Sequence, residues 1–348
     1  MVLAGLALAG LALTGPARAV EPEPPAPSPD AGAVVLRLKT VAPKASPWGE
    51  LLTNVATRTK KVTHGQVAVK VQWEQKSEAA LVRQCQSGKT DGIAVSVGAL
   101  AAAVPELDAL ELPFLFADYA AADRGLAAAT PLVAELLAAH GFVYVMRGEN
   151  GFRHFASKKG FIVKPDDLVG VTMRSQPSAL HKAMWTALGA TPKELQVADV
   201  PDSLEHDVVQ GYDNTLLFAR LATWSDHIGY VTLSSHIYQG ALVVWCKPWF
   251  DKLAPELQAV MARPDPRAPS KATVADPKLE ESGLKLVRVF NDKLMPEQYK
   301  ALGKQLRTLT AEERAAFVAK LGAVTADFVA KTSDEGKRLV EILQRAAR

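Results

Sequence analysis

Residues 167–197, with the sequence D-L-V-G-V-T-M-R-S-Q-P-S-A-L-H-K-A-M-W-T-A-L-G-A-T-P-K-E-L-Q-V, decide how the rest of the chain is interpreted. Their first apolar run, Val169–Met173, predicts a short strand that ends at Arg174. In open α/β sheets, ligands bind at the carboxyl ends of strands, because loops and helix N-termini converge there. A guanidinium at that place suits a carboxylate, which makes Arg174 a candidate ligand-binding residue.

A helix is predicted directly after this strand. Leucine, alanine and methionine recur at spacings of three and four between Leu180 and Leu188, which gives the segment one apolar face. Ser178 suits the N-cap of such a helix, and Gly189 suits the left-handed residue that closes it. Arg174 therefore lies at a strand-to-helix junction.

Composition excludes several classes of protein. The chain has 348 residues, of which 48% are apolar and 22% charged, and this predicts a globular protein of two domains rather than a disordered, fibrous or membrane-spanning one. Lysine and arginine number 40 against 37 aspartates and glutamates, so the net charge is only +3. With no basic cluster that contains interleaved aromatics, we expect no nucleic-acid partner.

The first residues have the pattern of an export signal. Val2–Thr14 is almost entirely alanine, leucine and glycine, and Ala17-Arg18-Ala19 is a small-x-small cleavage site. We interpret residues 1–19 as a signal peptide and residues 20–33, which contain E-P-E-P-P-A-P-S-P, as a proline-rich linker. The mature protein is therefore expected to be exported.

Strand-like and helical segments alternate through the remainder, which indicates an α/β fold. The predicted divisions are lobe I over 34–148, lobe II over 149–240, a return strand and helix to lobe I over 241–262, and a proline-rich break followed by a strand and a helical C-terminal region over 263–348. Two crossings between the lobes predict a hinged pair with a cleft, and small-ligand sites favour such interfaces.

Local patterns predict three further features. Ala120–His140 is expected to hold a pair of alanine-rich helices, and Leu284–Val289 is expected to be a strand. Cys85 falls on a helical pattern and Cys246 at the end of an apolar strand. An exported protein could pair these two cysteines, but the usual burial of cysteine favours two buried free thiols.

Several short motifs, in their order and spacing, resemble the substrate-binding proteins of tripartite ATP-independent periplasmic (TRAP) transporters. They are A-L (99–100), V-P-E-L-D-A-L-E-L-P-F-L-F (104–116), N-G-F-R (150–153), K-P-D-D-L-V-G-V-T-M-R (164–174), A-L-G-A-T-P (187–192) and V-V-Q-G-Y-D-N (208–214). The resemblance extends over roughly residues 35–262 and implies an α/β, two-lobe periplasmic-binding-protein-like fold with a hinged interdomain cleft. It also implies a periplasmic protein that captures a small organic acid and delivers it to the membrane permease subunits of a TRAP transporter.

The resemblance assigns ligand contacts to three residues, and a fourth candidate comes from the segment after the first strand. In that family, the arginine in the position of Arg174 forms the main salt bridge to the ligand carboxylate. Arg153 matches a second arginine in an N-G-x-R segment, and Asn214 matches the asparagine of a D-G-x-E-N segment. Trp48, from the first lobe, could cover the ligand. A guanidinium forms two parallel charge-assisted bonds to a carboxylate, and an amide adds a donor without adding charge.

Departures from the family pattern affect the expected pocket and hinge. W-E-Q-K-S-E (73–78) replaces the usual P-N-G-x-L-G turn, and Val197 and Pro201 stand where an aromatic residue and a tyrosine are common. R-P-D-P-R-A-P-S-K (263–271) falls where a long helix should brace both lobes, and its prolines cannot continue a helix. We therefore expect a roomier or less polar pocket and a shortened or broken brace.

Two other functions stay open at this point. The same fold could bind an apolar or lipid-like molecule for another trafficking system, or it could be a sensory or interaction module. An enzyme is not expected, because Arg83 stands where a phosphate-binding loop before Gly88-Lys89-Thr90 needs glycine, and no nucleophile elbow or dinucleotide motif occurs. The seven histidines show no metal-ligand spacing, so we expect neither a metal nor a cofactor.

Overall fold

The computed structural model describes residues 32–74, 77–262 and 273–348. The strands are β1 Val34–Thr40, β2 Val67–Trp73, β3 Gly92–Ser96, β4 Phe142–Ser157, β5 Thr172–Ser175, β6 Thr191–Glu194, β7 Gly211–Asn214, β8 Tyr230–Cys246 and β9 Gln305–Thr308. The helices are α1 Pro47–Val62, α2 Glu78–Gln86, α3 Val97–Leu100, α4 Tyr119–Ala139, α5 Ala179–Ala187, α6 Val200–Glu205, α7 Leu216–Leu221, α8 Lys247–Phe250, α9 Pro255–Met261, α10 Pro277–Val289, α11 Met295–Ala301, α12 Ala311–Lys331 and α13 Asp334–Ala347. None of the helices in these ranges is both long enough and apolar enough to cross a membrane.

Three predicted segments fall outside the described residues in whole or in large part. They are the signal peptide at 1–19, the linker at 20–33 apart from its last two residues, and the proline-rich segment at 263–271.

One mixed sheet extends through both lobes, in the strand order β2-β1-β3-β8-β4-β7-β5-β6, with β9 beside the start of β8. β4 and β8, which have 16 and 17 residues, lie between two groups of parallel strands. β3 pairs with the end of β8, and β7 pairs with the end of β4, so each long strand belongs to both lobes. The predicted two-lobe α/β fold is confirmed, and the predicted lobe boundaries, Glu149 and Gly240, face each other in the register of β4 and β8.

β4 is irregular where it passes from one lobe to the other. Its register against β8 shifts between Glu149 and Gly151 and again between Arg153 and Phe155. Gly151 has a φ of +100°, and a Cβ at this position would lie 2.7 Å from Nδ2 of Asn291. A glycine is therefore required at this bulge, because a side chain would meet both backbone strain and a steric clash.

Each lobe packs helices against its part of the sheet. Ser46 is the N-cap of α1, where its hydroxyl accepts from Gly49 N, and the helix buries Leu52 in the core of lobe I. Ser178 is the N-cap of α5, which buries Met184 in lobe II. At the C-terminus, α12 packs on α5 of lobe II, whereas α13 packs on α4 of lobe I. The C-terminal helices therefore contact both lobes.

The helix pair predicted over Ala120–His140 is a single helix, α4, which has Pro131 inside it. A proline removes one helical hydrogen bond and usually interrupts a helix. α4 stays continuous because its apolar face is buried in the core. This face includes Leu132, directly after the proline, and Leu136, about one turn later. Tertiary packing therefore outweighs the local cost of the proline.

The strand predicted over Leu284–Val289 is part of helix α10. The alternation of L-K-L-V-R-V suggested a strand, but the buried residues are Leu284 and Val287, whose spacing of three is helical. From Pro277 to Ala301 the helix continues through a π-helical turn and packs on α1 of lobe I, on β4 and on α7 of lobe II. A helix therefore braces both lobes after the segment in which we predicted a break.

Cys85 and Cys246 form a disulfide, so the prediction of two free thiols is wrong. Cys85 lies on α2, Cys246 is the last residue of β8, and their Cα atoms are 5.0 Å apart. α2 packs beside β3 and β8, and this tertiary contact brings together two residues that are 161 positions apart. Sequence spacing alone does not reveal that proximity.

Candidate functional site

The two lobes enclose a cleft of about 420 Å³, a volume typical of small-molecule sites. The structure places Arg153, Arg174 and Asn214, three of the four residues predicted from the sequence, in its wall. The polar side chains of the lining are Glu74, Ser77, Glu78, Ser96, Asn150, Arg153, Arg174, Gln176, Gln196, Asn214, Thr223 and Gln239. Lobe I supplies the first four of these, and the others belong to the crossing strands and lobe II.

Arg174 lies near the end of β5, and its side chain is only 3% exposed. Its Nε and Nη2 donate to the carbonyl oxygen of Leu195 at 3.3 and 3.0 Å. The guanidinium lies over the ring of Trp224, with 4.7 Å between Cζ and the ring centroid. Among the described residues, no carboxylate forms an ion pair with Arg174, and its Nη1 has no hydrogen-bond partner.

The electrostatic environment of Arg174 favours an anion. Burial, with a smaller contribution from the guanidinium of Arg153, lowers the pKa of Arg174 to about 9, while Asp213, Glu194 and Glu78 oppose that shift from a distance. Desolvation disfavours a charged group, and a buried charge is stabilised when it is paired. A carboxylate that entered the cleft would supply the missing partner and could accept two parallel hydrogen bonds.

Arg153, in contrast, already has a carboxylate partner. Its Nε lies 2.5 Å from Oδ2 of Asp213, and its Nη2 donates to the backbone oxygen of the same residue at 2.5 Å. Burial alone would raise the pKa of Asp213, but the charge and the hydrogen bond of Arg153, with His236 Nε2 3.4 Å away, hold that pKa well below its usual range. Much of the positive charge of Arg153 is therefore compensated within the protein.

An amide network connects Arg153 to the cleft surface. Its Nη1 donates to Oε1 of Gln239 at 2.9 Å and, more weakly, to Oδ1 of Asn214 at 3.4 Å. Gln239 in turn donates to Oε1 of Gln176 at 3.2 Å. Oδ1 of Asn214 also accepts from Thr215 N at 2.8 Å. The Nδ2 group of Asn214 has no partner in the described part of the chain and can serve as a donor to a ligand.

Trp48, the fourth predicted residue, lies beside this cleft rather than in its wall. Its indole nitrogen donates to the backbone oxygen of Glu149 at 3.1 Å and to Oδ1 of Asn150 at 3.2 Å. Its ring covers Gly148, where a Cβ would lie 2.4 Å from the indole. It borders a small cavity of about 40 Å³ that shares Glu78, Ser96 and Asn150 with the lining of the cleft. A role for Trp48 in covering the ligand therefore stays a prediction.

The wall from lobe I contributes a carboxylate. Glu78 is the first residue of α2, and it accepts from Ser96 N at 2.9 Å and from the Ser96 hydroxyl at 2.5 Å. Because Ser96 ends β3, these bonds fix the glutamate at the carboxyl end of a strand. Glu78 therefore belongs to the lobe I part of the same cleft wall that contains Arg153 and Arg174.

Sequence reasoning missed several residues of the site. Asp213 had a partial signal, since it directly precedes the candidate residue Asn214. Gln239 had none, because it enters the site only through the pairing of β8 with Gly151 of β4. The missed residues are Glu78, Gln176, Trp224 and Gln239 in the wall of the cleft, and Asp213, the buried partner of Arg153.

The arrangement can bind an anion without covalent chemistry. Its features are a buried guanidinium, amide donors and a cleft between two lobes that share two strands. Over residues 32–74, 77–262 and 273–348, no group of three or more His, Cys, Asp and Glu side chains could hold a metal ion.

Comparisons with known proteins agree with this fold. A model of the family described as bacterial extracellular solute-binding protein, family 7, matches residues 38–332. The C4-dicarboxylate-binding periplasmic protein DctP of Rhodobacter capsulatus is 26% identical over 291 residues, which cover 82% of this chain and 83% of that protein. A solute-binding protein of Verminephrobacter eiseniae is 29% identical over 228 residues, which cover 64% and 68% of the two chains.

Solved structures show the same architecture. The sugar acid binding protein DctPAm of Advenella mimigardefordensis, in complex with galactonate, matches with a TM-score of 0.81 and 25% identity over 91% of this chain and 99% of that chain. A TRAP periplasmic solute-binding protein of Sulfurospirillum deleyianum with bound succinate matches with a TM-score of 0.77 and 24% identity over 90% and 98% of the two chains.

Proposed function

The chain belongs to bacterial extracellular solute-binding protein family 7, and on that premise we propose that it captures a small organic acid between its lobes and delivers it to a TRAP-type membrane transporter. In this proposal, Arg174 anchors the ligand carboxylate. Asn214 donates a hydrogen bond to the ligand, and Arg153 orients Asn214 and adds positive potential. The resemblance noted in the sequence is confirmed by the family match.

One observation carries the proposal, namely the buried guanidinium of Arg174, which no carboxylate of the described residues neutralises. Structural arginines that are buried to this extent are normally paired with an acid, as Arg153 is with Asp213. The unpaired charge of Arg174 faces a cleft that is large enough for a small molecule. A carboxylate ligand would complete the pair.

The shared strands supply a way to couple binding to a signal for the transporter. β4 and β8 cross between the lobes as a pair. Their pairing register shifts at the crossing, where the buried side chains of Arg153 and Gln239 form a hydrogen bond. A ligand that contacts both lobes binds the closed state more tightly than the open state, and so shifts the population toward closure. A permease that recognises the closed form would receive only loaded protein.

The ligands of relatives support a carboxylate as the shared feature. The Advenella mimigardefordensis protein is in complex with galactonate, and the Rhodobacter capsulatus protein is named for C4-dicarboxylates. Both ligands carry a carboxylate, although they differ in length and in their second functional group. These relatives therefore support an acid as the ligand class. They do not indicate the size of the acid, which depends on the cleft of this protein.

Residence in the periplasm is part of the proposal. The family is described as extracellular, and the relative from Rhodobacter capsulatus is named as periplasmic. The disulfide between Cys85 and Cys246 is consistent with an oxidising compartment, since such bonds are rare in the cytosol. The expected signal peptide at 1–19 would direct that export.

A thermal-unfolding panel tests the proposed ligand class. Residues 20–348 would be heated with monocarboxylates, dicarboxylates, keto acids and neutral apolar compounds. An acid at a hundredfold excess over its dissociation constant should stabilise the protein by about 2.7 kcal/mol and raise the midpoint accordingly.

The apolar compounds in the panel decide between two candidates. Val197, Pro201 and Phe218 give part of the cleft an apolar wall, which is the observation that favours an apolar cargo. A shift with an apolar compound, together with none for any acid, would contradict the proposed function and support that alternative.

A further inference from the structure

We propose that Glu78 makes the cleft selective for hydroxylated monocarboxylates and excludes dicarboxylates. The inference rests on the proposed function, because it takes Arg174 as the site of the ligand's carboxylate. It concerns the other end of the ligand, where lobe I forms the wall. The expected ligand carries one carboxylate at the end that faces lobe II and hydroxyl groups at the end that faces lobe I.

The position of Glu78 is fixed by its own contacts. The carboxylate accepts from the amide and the hydroxyl of Ser96, at 2.9 and 2.5 Å, so each oxygen is held by one bond. A carboxylate oxygen can accept more than one hydrogen bond, which leaves Glu78 acceptor capacity for a ligand. Neither oxygen is paired with a lysine or an arginine in the described part of the chain.

The cations that line the cleft offer a ligand carboxylate one position at which it can form an ion pair. Its cationic lining residues, among those described, are Arg153 and Arg174, and both belong to the lobe II side. Arg153 is paired with Asp213 at 2.5 Å, which leaves Arg174 as the cation to be neutralised. One carboxylate at Arg174 therefore completes the pairing.

A second carboxylate on the ligand would reach a wall that has the wrong charge. The described acidic residues of the lining are Glu74 and Glu78, and Glu74 is already paired with Lys39 at 3.0 Å. A carboxylate near Glu78 would meet an unpaired like charge and would lose its hydration without gaining a cation. A hydroxyl group at the same place would instead donate to Glu78.

The mutual influence of the two groups agrees with this geometry. Burial raises the pKa of Glu78, while the positive charge of Arg174 acts in the opposite direction. Glu78 in turn acts to raise the pKa of Arg174. Both side chains line the same cleft, and no ion pair joins them in the described part of the chain.

Matched pairs of acids test the selectivity. Gluconate with glucarate, galactonate with galactarate, and 4-hydroxybutyrate with succinate each differ by the exchange of a terminal CH₂OH for a carboxylate. Isothermal titration calorimetry at pH 7.5 would measure each acid against the unmodified protein, Glu78→Gln and Glu135→Gln. Glu135 is an exposed glutamate of α4 that does not line the cleft, so its variant controls for the loss of one charge.

In at least one pair, the unmodified protein should bind the hydroxyl-bearing acid at least about tenfold more tightly than its dicarboxylate partner, as expected for like charges brought close in a partly buried site. Glu78→Gln should strengthen dicarboxylate binding by about tenfold or more, because the amide keeps the size of the side chain and removes its charge. Glu135→Gln should change neither affinity by more than about threefold.

Three results would overturn the inference. They are a dicarboxylate bound as tightly as its partner in every pair, an unchanged dicarboxylate affinity in Glu78→Gln, and an absence of binding by every hydroxyl-bearing acid. If dicarboxylates bind and Arg174→Ala abolishes that binding, the selectivity is wrong but the proposed function stands. If no acid of either kind binds, the proposed function fails with it.

Discussion

Removal of the disulfide between Cys85 and Cys246 is expected to lower the free energy of unfolding by about 5 kcal/mol at most, with little effect on ligand affinity. The bond joins residues 161 positions apart. The chain-entropy relation gives about 17 cal/mol/K for a loop of that length, or about 5 kcal/mol at 25 °C, and the loss of native disulfides commonly costs about 2–5 kcal/mol.

The separation of the disulfide from the cleft explains why affinity should be unaffected. Cys246 follows Trp245, which pairs with Gly92 at the start of β3. Ser96, which lines the cleft, lies at the opposite end of the same strand. The disulfide therefore stabilises the outer end of lobe I and makes no contact with the ligand site.

The measurement is urea denaturation followed by circular dichroism, for the oxidised protein and for the double variant Cys85→Ser with Cys246→Ser. The variant should unfold with a free energy lower by about 2–5 kcal/mol, and dithiothreitol should affect only the unmodified protein. A loss below about 1 kcal/mol would refute the loop-closure reasoning. A tenfold loss of ligand affinity in the variant would refute the separation of the disulfide from the site.

Three further predictions concern the cleft and the crossing strands. Asp213→Asn leaves the buried charge of Arg153 uncompensated, so urea denaturation should show a loss of about 3–5 kcal/mol, and a loss below about 1 kcal/mol would contradict the pairing. Trp48→Phe removes the hydrogen bond to the backbone of Glu149 and should lower the free energy of unfolding by about 1 kcal/mol. The ligand affinity should change by less than about threefold. A thirtyfold loss of ligand affinity in calorimetry would instead make Trp48 a ligand contact. Because burial raises the pKa of Glu78 above the ordinary value of 4.5, this residue becomes neutral at a higher pH than an ordinary glutamate, and the ratio of gluconate to glucarate affinity should narrow as the pH falls from 7.5 to 4.5. A ratio that stays constant down to pH 4.5 would exclude Glu78 as its cause.

The position of Arg174 could be predicted because a local pattern determines it. An apolar run followed by a helical period marks the end of a strand, and the ends of parallel strands meet at one edge of a sheet. The structure has this strand at Thr172–Ser175, a few residues later than the run Val169–Met173, and Arg174 still lies near its end. Asn214 was predicted through the family motif, and it lies at the end of the neighbouring strand β7.

Features that depend on tertiary contacts could not be predicted in the same way. The pairing of Cys85 with Cys246 requires knowing that α2 packs beside β8, and the continuity of α4 through Pro131 depends on the core around it. Glu78 lay in a segment that we noted only for its departure from the family pattern. The place of Glu78 in the cleft wall depends on its hydrogen bond with Ser96, a tertiary contact that the sequence does not reveal.

The most direct test of the account is the affinity of Arg174→Ala for whichever acid shifts the unfolding midpoint, measured by isothermal titration calorimetry. Loss of one member of a buried charge pair costs about 2–5 kcal/mol, so the affinity should fall at least about thirtyfold. Arg220→Ala removes an arginine that pairs with Asp226 on the surface of lobe II and should leave the affinity unchanged. If Arg174→Ala keeps its circular dichroism spectrum and binds the acid as tightly as the unmodified protein, Arg174 does not anchor the carboxylate and the central claim is wrong.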